Sequence, residues 1–353
     1  MSGPADAAAV AAEAAEAAEA ADEPFLILGI ETSCDETAAA VVANGSAVVS
    51  SVVSSQVDLH ARFGGVVPEI ASRAHVQVLN PVVAEVLVES GLDGREIDAV
   101  AATVGPGLVG ALLVGMSAAK ALALVWDVPF IGVNHMEGHL YASFLERPDI
   151  ELPTVVLLVS GGHTMLVLME GHGRYRMLGG TVDDAVGEAY DKVGRYLGLG
   201  YPGGPVIDRL AADGDPEAVK FPRPMLNEGL DFSFSGLKTA VVHYVRAHPD
   251  AAVPDVAASF QAAVVDTLVT KALRAARQTG AKGICIGGGV AANSALRATI
   301  ATACEEAGLE SFVPSREMCT DNAAMIAAAA WWRYRADGPT PLDAGAAPNL
   351  RLV

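Results

Sequence analysis

Residues Phe25–Ser55 read FLILGIETSCDETAAAVVANGSAVVSSVVSS. FLILGIETS is an apolar run that ends in a polar loop. TAAAVVAN and SAVVSSVVSS follow as short strands, and the Asn44-Gly45 pair between them is a strong hairpin signal. A helix fits PEIASRAHVQVLNPVVAEVLVESG, with Pro68 suited to its first turn and Pro81 expected to break or kink it. DAVAATVGPGLVGALLVGMSAAKALALVWD then reads as strand, glycine turn and helix, and PFIGVNH as a further strand.

The second half of the chain repeats that order. TVVLLVSGG, HTMLVLMEG and RYRMLGGTVDD read as three strands, followed by helical patterns over Asp184–Leu199 and Asp255–Gln278. KGICIGGGVAANSALR is strand, glycine turn and helix, SFVP is a last short strand, and Asp321–Arg335 closes with a helix. Three strands, a helix, then strand–helix alternation, occurring twice, predict two related α/β lobes with a central cleft. The repeat is one of architecture, since the residues themselves are not clearly similar. The expected division is a low-complexity tail over 1–24, a first lobe over 25–145 joined by the helix 319–336, a second lobe over 151–318, and a C-terminal tail over 337–353.

Composition supports a compact enzyme. Of 353 residues, 52% are hydrophobic and 18% charged, enough for a substantial core. A net charge of −19 does not attract nucleic acid, because phosphates reward Lys and Arg. Such a substrate requires local basic spots or a basic partner. Cys34, Cys285, Cys304 and Cys319 contain no CxxC pair, which suggests reduced thiols in a cytoplasmic protein rather than a zinc knuckle or redox site. MSGPADAAAVAAEAAEAAEAADEP has neither a positive start nor an apolar segment, so it reads as a solvated, partly helical tail and not as a signal peptide. The uncharged run Ala99–Ala119 contains GPG and reads as strand, turn and core helix, with no membrane partner.

Four glycine clusters, TVGPGLVG, VSGGHT, YPGGPVID and IGGGVAAN, are expected at strand ends. There backbone N–H groups and helix N-termini can approach phosphate oxygens. Their number favours a nucleotide or acyl-phosphate ligand. No Walker loop or dinucleotide fingerprint is present.

NHMEGHLYA places His135 and His139 four residues apart, so both imidazoles share one helix face and can reach one metal. A metalloprotease helix has its glutamate directly after the first histidine. Here Glu137 lies about 200° around the helix from His135, facing away, so protease chemistry loses its base. A third ligand must come from elsewhere. Asp321, in MCTDNAAMIA, is either that ligand or the cap of the helix that follows.

Taken together, LGIETSCDETAAAVV, VPEIASRAH, TVGPGLVGALLVG, NHMEGHLYA, LLVSGGHT, GEAYDKVGRYLGLGYPGG, FSFSGLKTAV, IGGGVAANSALR and CTDNAAMIAAAA closely resemble the tRNA N6-adenosine threonylcarbamoyltransferases. The likeness spans about residues 25–335 and is to the bacterial form, without a fused kinase. It implies an actin/Hsp70/sugar-kinase-like fold of two RNase H-like lobes. It also implies transfer of threonylcarbamoyl from threonylcarbamoyl-AMP to N6 of adenosine 37, in tRNAs reading codons that begin with A, with release of AMP. By resemblance, His135, His139 and Asp321 are metal ligands, for Fe2+ or alternatively Zn2+. Leu158, Val159, Ser160, Gly161 and Gly162 match a substrate loop, and Asp191, Gly204, Asp208 and Asn293 match adenylate contacts. The implied partners are tRNA, a paralogous TsaB-like subunit and a TsaE-like P-loop ATPase. Gly200 departs from the pattern, standing where aspartate is expected.

The donor is already an activated mixed anhydride, so no Ser or Cys nucleophile is needed. Asp35 and Glu36 are weak candidates for removing the N6 proton, because loop acids more often form turns or caps. Arg195, Arg223 and Lys238 are the expected basic spots for tRNA. The competing readings are a metalloprotease, which Glu137 argues against, and a small-molecule kinase of the same fold, which has no need of the histidine pair. A non-catalytic scaffold is a third, and has no use for three metal ligands.

Overall fold

The computed structural model describes residues 24–353. The tail over 1–24, apart from its last residue, lies outside the described residues. The chain forms two compact units, one from residues up to Pro148 together with Asp321–Leu352, the other from Asp149–Thr320.

The first unit is built on β1 (Leu26–Glu31), β2 (Glu36–Ala43), β3 (Ala47–Ser55), β4 (Ala99–Gly105) and β5 (Phe130–Asn134), in the spatial order β3-β2-β1-β4-β5. The first three strands form an antiparallel meander, and β4 and β5 add in parallel. β1 and β2 are almost wholly buried, whereas the edge strand β3 is largely exposed. That difference explains why the first two read as unbroken apolar runs and the third is interleaved with serine. Helices α1 (Val57–Ala61), α2 (Pro68–Ser90), α3 (Val109–Trp126) and α4 (His135–Glu146) connect the strands.

Because side chains alternate along a strand, β1 has two different neighbours. Leu28 and Ile30 join Leu79, Val82, Val83 and Val86 of α2 in one core cluster. Gly29 points the other way, at the last helix, Ala323–Asp337. A Cβ on Gly29 would lie 2.4 Å from the carbonyl oxygen of Ala323 and 3.0 Å from the Cβ of Ala327. Glycine opposite alanine is therefore what lets this helix settle on the strand.

Helix α2 runs unbroken through Pro81, contrary to the expected break. Proline removes the hydrogen bond to the carbonyl four residues earlier, here that of Gln77. Both residues lie on the exposed side of the helix, where water meets the carbonyl. The uncharged run is divided between β4 and α3. Helices Val109–Trp126 and Val253–Thr279 are long and apolar enough by composition to cross a membrane. The first packs on β4, and most of the second is buried within its own unit. Residues 338–352, read as a tail, are stitched to the first unit: Thr340 N–H donates to Phe130 O at 2.8 Å and Ala347 N–H to Val104 O at 2.7 Å.

The second unit repeats the pattern with β6 (Thr154–Val159), β7 (Thr164–Gly171), β8 (Arg174–Gly180), β9 (Gly283–Gly287) and β10 (Glu310–Phe312). Their order is β10-β9-β6-β7-β8, the same arrangement as in the first sheet. Helices α5 (Val186–Tyr196), α6 (Gly203–Ala211), α7 (Ser235–Ala247), α8 (Val253–Thr279) and α9 (Ser294–Ala307) cover it. Two of these, α6 and α7, lie outside the helical patterns read from sequence. YPGGPVID does not follow a strand; it opens α6. Its Gly203 packs against α5, where a Cβ would sit 2.6 Å from Tyr190 O, and Gly194 of α5 meets Gly203 in return. The glycines serve helix contact rather than a strand-end turn.

Gly29→Val should lower the unfolding free energy by about 1–3 kcal/mol, because a backbone carbonyl cannot give way as a flexible side chain does. Gly236→Ala, whose new methyl meets only Pro224 at 3.6 Å inside a helix, should be neutral or slightly stabilising. Thermal unfolding of the two variants distinguishes these cases.

Candidate metal centre and nucleotide cavity

In the first unit, β5 leads directly into α4, and Asn134 caps the junction. Its side-chain oxygen accepts from the N–H of Met136 at 2.8 Å, and its amide donates to Arg351 O at 2.9 Å. The cap fixes His135 at the first helical position and His139 one turn on, with ring centroids 4.8 Å apart and nearly perpendicular. The last helix is capped by Asn322, which accepts from Met325 N–H at 3.0 Å. Asp321 is thus not the cap, and its carboxylate faces the two histidines.

Asp321 Oδ1 lies 3.1 Å from His139 Nε2 and 3.5 Å from His135 Nε2. The three side chains bring one ligand atom each within 4.8 Å of one another. Metal–nitrogen bonds of about 2.0–2.1 Å in tetrahedral geometry separate ligand atoms by about 3.3 Å, so this spacing suits one small divalent ion. His139 gives an independent sign. Its side chain is wholly buried, yet neither ring nitrogen makes a hydrogen bond, although Asp321 Oδ1 approaches Nε2 to 3.1 Å. Buried polar atoms without partners are rare and costly, and a metal on Nε2 removes that cost for this atom. These residues fit a divalent metal.

Glu137 is buried and paired with Arg333 of the last helix at 2.9 Å, engaged in the helix contact as its angular position predicts. Sequence reading missed Glu31, at the end of β1. Its carboxylate is fully buried and accepts from Thr103 Oγ1 at 2.6 Å, from the backbone N–H of Ser33, and from His135 Nδ1 at 3.0 Å. Burial alone would raise its pKa, but neighbouring His135 outweighs it and holds Glu31 below the usual carboxylate range. Burial likewise acts to lower His135, and the Asp321 and Glu31 carboxylates overcome it, raising His135 to about 9. Glu36 accepts from Ser55 Oγ at 2.9 Å, and burial, then Asp321 and Asp35, push it up to about 9. That direction disfavours the carboxylate form that a base requires.

In the second unit a cavity of about 480 Å³ is lined by Gly161, Asp191, Gly204, Asp208 and Asn293 among the expected residues. Leu158, Val159, Ser160 and Gly162 do not line it. Leu158 and Val159 are buried in the sheet, and Ser160 Oγ accepts from His163 N–H at 3.1 Å. Asp191 accepts from Gly203 N–H at 2.8 Å, at the start of α6. Asp208 accepts from the backbone and hydroxyl of Ser294, the hydroxyl at 2.7 Å. Asn293 caps α9 and donates to Gln261 Oε1 at 2.7 Å. Gly187, Gly204 and Asn293 bring the N-terminal ends of α5, α6 and α9 to this wall, and Arg209 and Arg316 add charge. Helix N-termini and guanidinium groups favour an anion. The two arginines escaped the sequence reading because neither lies in a glycine cluster. Gly200 has φ +88°, a conformation that suits glycine better than aspartate.

Two of the basic spots proposed for tRNA are engaged in ion pairs. Arg223 binds Asp266 at 2.7 Å, and Lys238 binds Asp184 at 2.6 Å.

Two five-stranded sheets of one strand order, each wrapped by helices, define an actin- or sugar-kinase-like α/β protein. Solved structures agree on the fold. HypF from T. kodakarensis aligns with a TM-score of 0.59 at 16% identity, over 89% of this chain and 48% of that one. Component A of (R)-2-hydroxyglutaryl-CoA dehydratase from Acidaminococcus fermentans aligns with a TM-score of 0.54 at 13% identity, over 88% and 99%. Sequence relatives are far nearer. The tRNA N6-adenosine threonylcarbamoyltransferase of Symbiobacterium thermophilum is 57% identical over 93% of this chain and 97% of its own. That of Moorella thermoacetica is 55% identical over 92% and 97%. The family model for tRNA N6-adenosine threonylcarbamoyltransferase matches residues 47–328, and the chain belongs to that family.

The raised pKa of His135 sets a sign for metal binding. Below about pH 9 the metal-free ring holds protons on both nitrogens, and a metal must displace the one on Nε2. Apparent zinc affinity should rise about tenfold per pH unit from neutrality toward pH 9 and level off above it, as one displaced proton requires. A metal-buffered zinc titration checks this.

Proposed function

We propose that this chain transfers the threonylcarbamoyl group of threonylcarbamoyl-AMP to N6 of adenosine 37 in tRNAs reading codons that begin with A, releasing AMP. The observation that carries the reading is the set of buried His135 and His139 with half-buried Asp321, neither ring nitrogen of His139 making a hydrogen bond, in a chain of this family. The ion is Fe2+, with Zn2+ the alternative. Two histidines and one carboxylate leave other coordination positions open, as in non-haem iron sites. When bound, such a metal supplies positive charge that holds oxygen ligands and polarises a carbonyl.

The second unit's cavity receives the nucleotide part of the donor. Helix N-termini with Arg209 and Arg316 offset the phosphate charge, and Asp191 and Asp208 accept from ribose hydroxyls. The adenine N6 attacks the carbamoyl carbonyl, the mixed anhydride C–O bond breaks, AMP departs with its electron pair, and N6 releases one proton to water or to the departing phosphate. N6 is a weak nucleophile, so the protein's contribution lies in holding donor and base in line and in stabilising developing charge. The activity is cytoplasmic, in keeping with four free cysteines. It acts with a TsaB-like subunit and a TsaE-like ATPase, whose contacts compensate for a tRNA ligand facing a chain of charge −19.

The test is reconstituted transfer with labelled threonine, bicarbonate, ATP, the adenylate-forming enzyme, the partner subunits and a tRNA transcript. Label at position 37 is expected. His139→Ala and Asp321→Ala should each reduce it by at least about 100-fold, as removal of a metal ligand requires. Folded, metal-loaded protein with active partners that gives no label would refute the reading, and ATP-dependent phosphorylation of a metabolite would favour the kinase instead.

A further inference from the structure

We propose that Glu31 is the positioning residue of the metal centre: it fixes His135 as the Nδ1–H tautomer and so presents Nε2 to the ion. The inference rests on the metal reading above. Glu31 lies on β1, His135 on α4, and neither sequence spacing nor a shared element joins them; the fold does.

The argument is one of donors and acceptors. An ionised carboxylate only accepts. Glu31 Oε1 takes the backbone N–H of Ser33, a donor that cannot reverse its role. Oε2 takes the hydroxyl of Thr103 at 2.6 Å and faces His135 Nδ1 at 3.0 Å. Nδ1 must therefore carry a hydrogen. Ser33 Oγ, 3.1 Å from the same nitrogen, is able to share it. With Nδ1 occupied, the remaining nitrogen, Nε2, is the one turned toward Asp321 and His139. No such orienter serves His139, whose Nδ1 has no hydrogen-bond partner. The two ligands are thus unequal: both rings face Asp321 through Nε2, but only His135 is also tied to β1 through Nδ1. Carboxylate–histidine pairs of this kind set ring orientation and strengthen the ligand in metal proteins.

Glu31→Gln is the informative change because its outcome follows from the same bookkeeping. Ser33 N–H can be met only by the amide oxygen, so that oxygen takes the Oε1 place. The amide nitrogen then falls at Oε2, facing His135 Nδ1 with a donor. Thr103 can rotate its hydroxyl to accept, but His135 must become the Nε2–H tautomer, with its hydrogen pointed at the metal position.

The experiment uses the full chain with zinc as a diamagnetic probe. Glu31→Gln should bind zinc about 10- to 100-fold more weakly than the wild type. Glu31→Gln also removes a buried charge beside His135, so its metal-free unfolding midpoint should fall, and the ring-nitrogen spectrum rather than the midpoint separates positioning from mere support. Ring-nitrogen NMR of the zinc-loaded wild type, assigned with His135→Ala, should show a proton on Nδ1 and the metal on Nε2; this needs no folded variant at position 31. Undiminished zinc binding by Glu31→Gln, or metal on Nδ1, would overturn the assignment of Glu31 alone. A wild type that binds no zinc and no Fe2+ would overturn the metal reading and this inference with it.

Discussion

The close approach of the last helix to β1 is the contact on which the first unit's site depends. A strand and a helix normally keep their distance because both carry side chains. Here Gly29 has none to offer, and Ala323 and Ala327 oppose it with the smallest available. The helix therefore rides on the strand itself, its cap Asn322 is buried at the end, and Asp321 arrives at the histidine face of α4. Arg333 on the same helix reaches Glu137, so the side of α4 away from the histidines is fixed as well. One packing contact thus orients the carboxylate that faces the histidines and a buried ion pair.

The two units address charge by different means. In the first, full charges meet at a largely buried site: Glu31, His135 and the half-buried Asp321 answer one another, and the balance is sensitive to the loss of any member. In the second, helix ends line the cavity wall, and two arginines supply whole charges. Dipoles aimed in advance need little reorganisation when a phosphate arrives. The surface cations Arg223 and Lys238, by contrast, are bound to carboxylates of their own unit, so the chain's acidity is not relieved at those positions.

Much of this was legible in the sequence, and for physical reasons. The doubled order of strands and helices was visible because central strands are buried on both faces and read as unbroken apolar runs. The histidine pair was visible because a helix repeats every 3.6 residues and spacing four is a local property. Glu31 was not, since its role depends on which helix the end of β1 faces, a matter of tertiary packing. Helix α6 was hidden behind glycines that usually signal turns; at Gly203 and Gly194 they serve close helix contact instead. Pro81 misled in the opposite sense, because a proline on a wet helix face leaves its orphaned carbonyl to water. Asp321 could be told from a helix cap only when Asn322 was seen to occupy that role.

The first unit is discontinuous, and this affects the order in which the protein can be made. The second unit is one unbroken stretch, Asp149–Thr320, with its own hydrophobic core. The first needs Asp321–Leu352 to cover its sheet and to bring Asp321 to the histidine pair. During synthesis the N-terminal part emerges earliest yet cannot be finished until the end of the chain leaves the ribosome, reversing the usual N-terminal-first sequence. Its two histidines are made long before their aspartate. A nascent chain therefore carries both histidines without Asp321 through a long stretch of its translation, and the three-residue set is completed only as the fold closes.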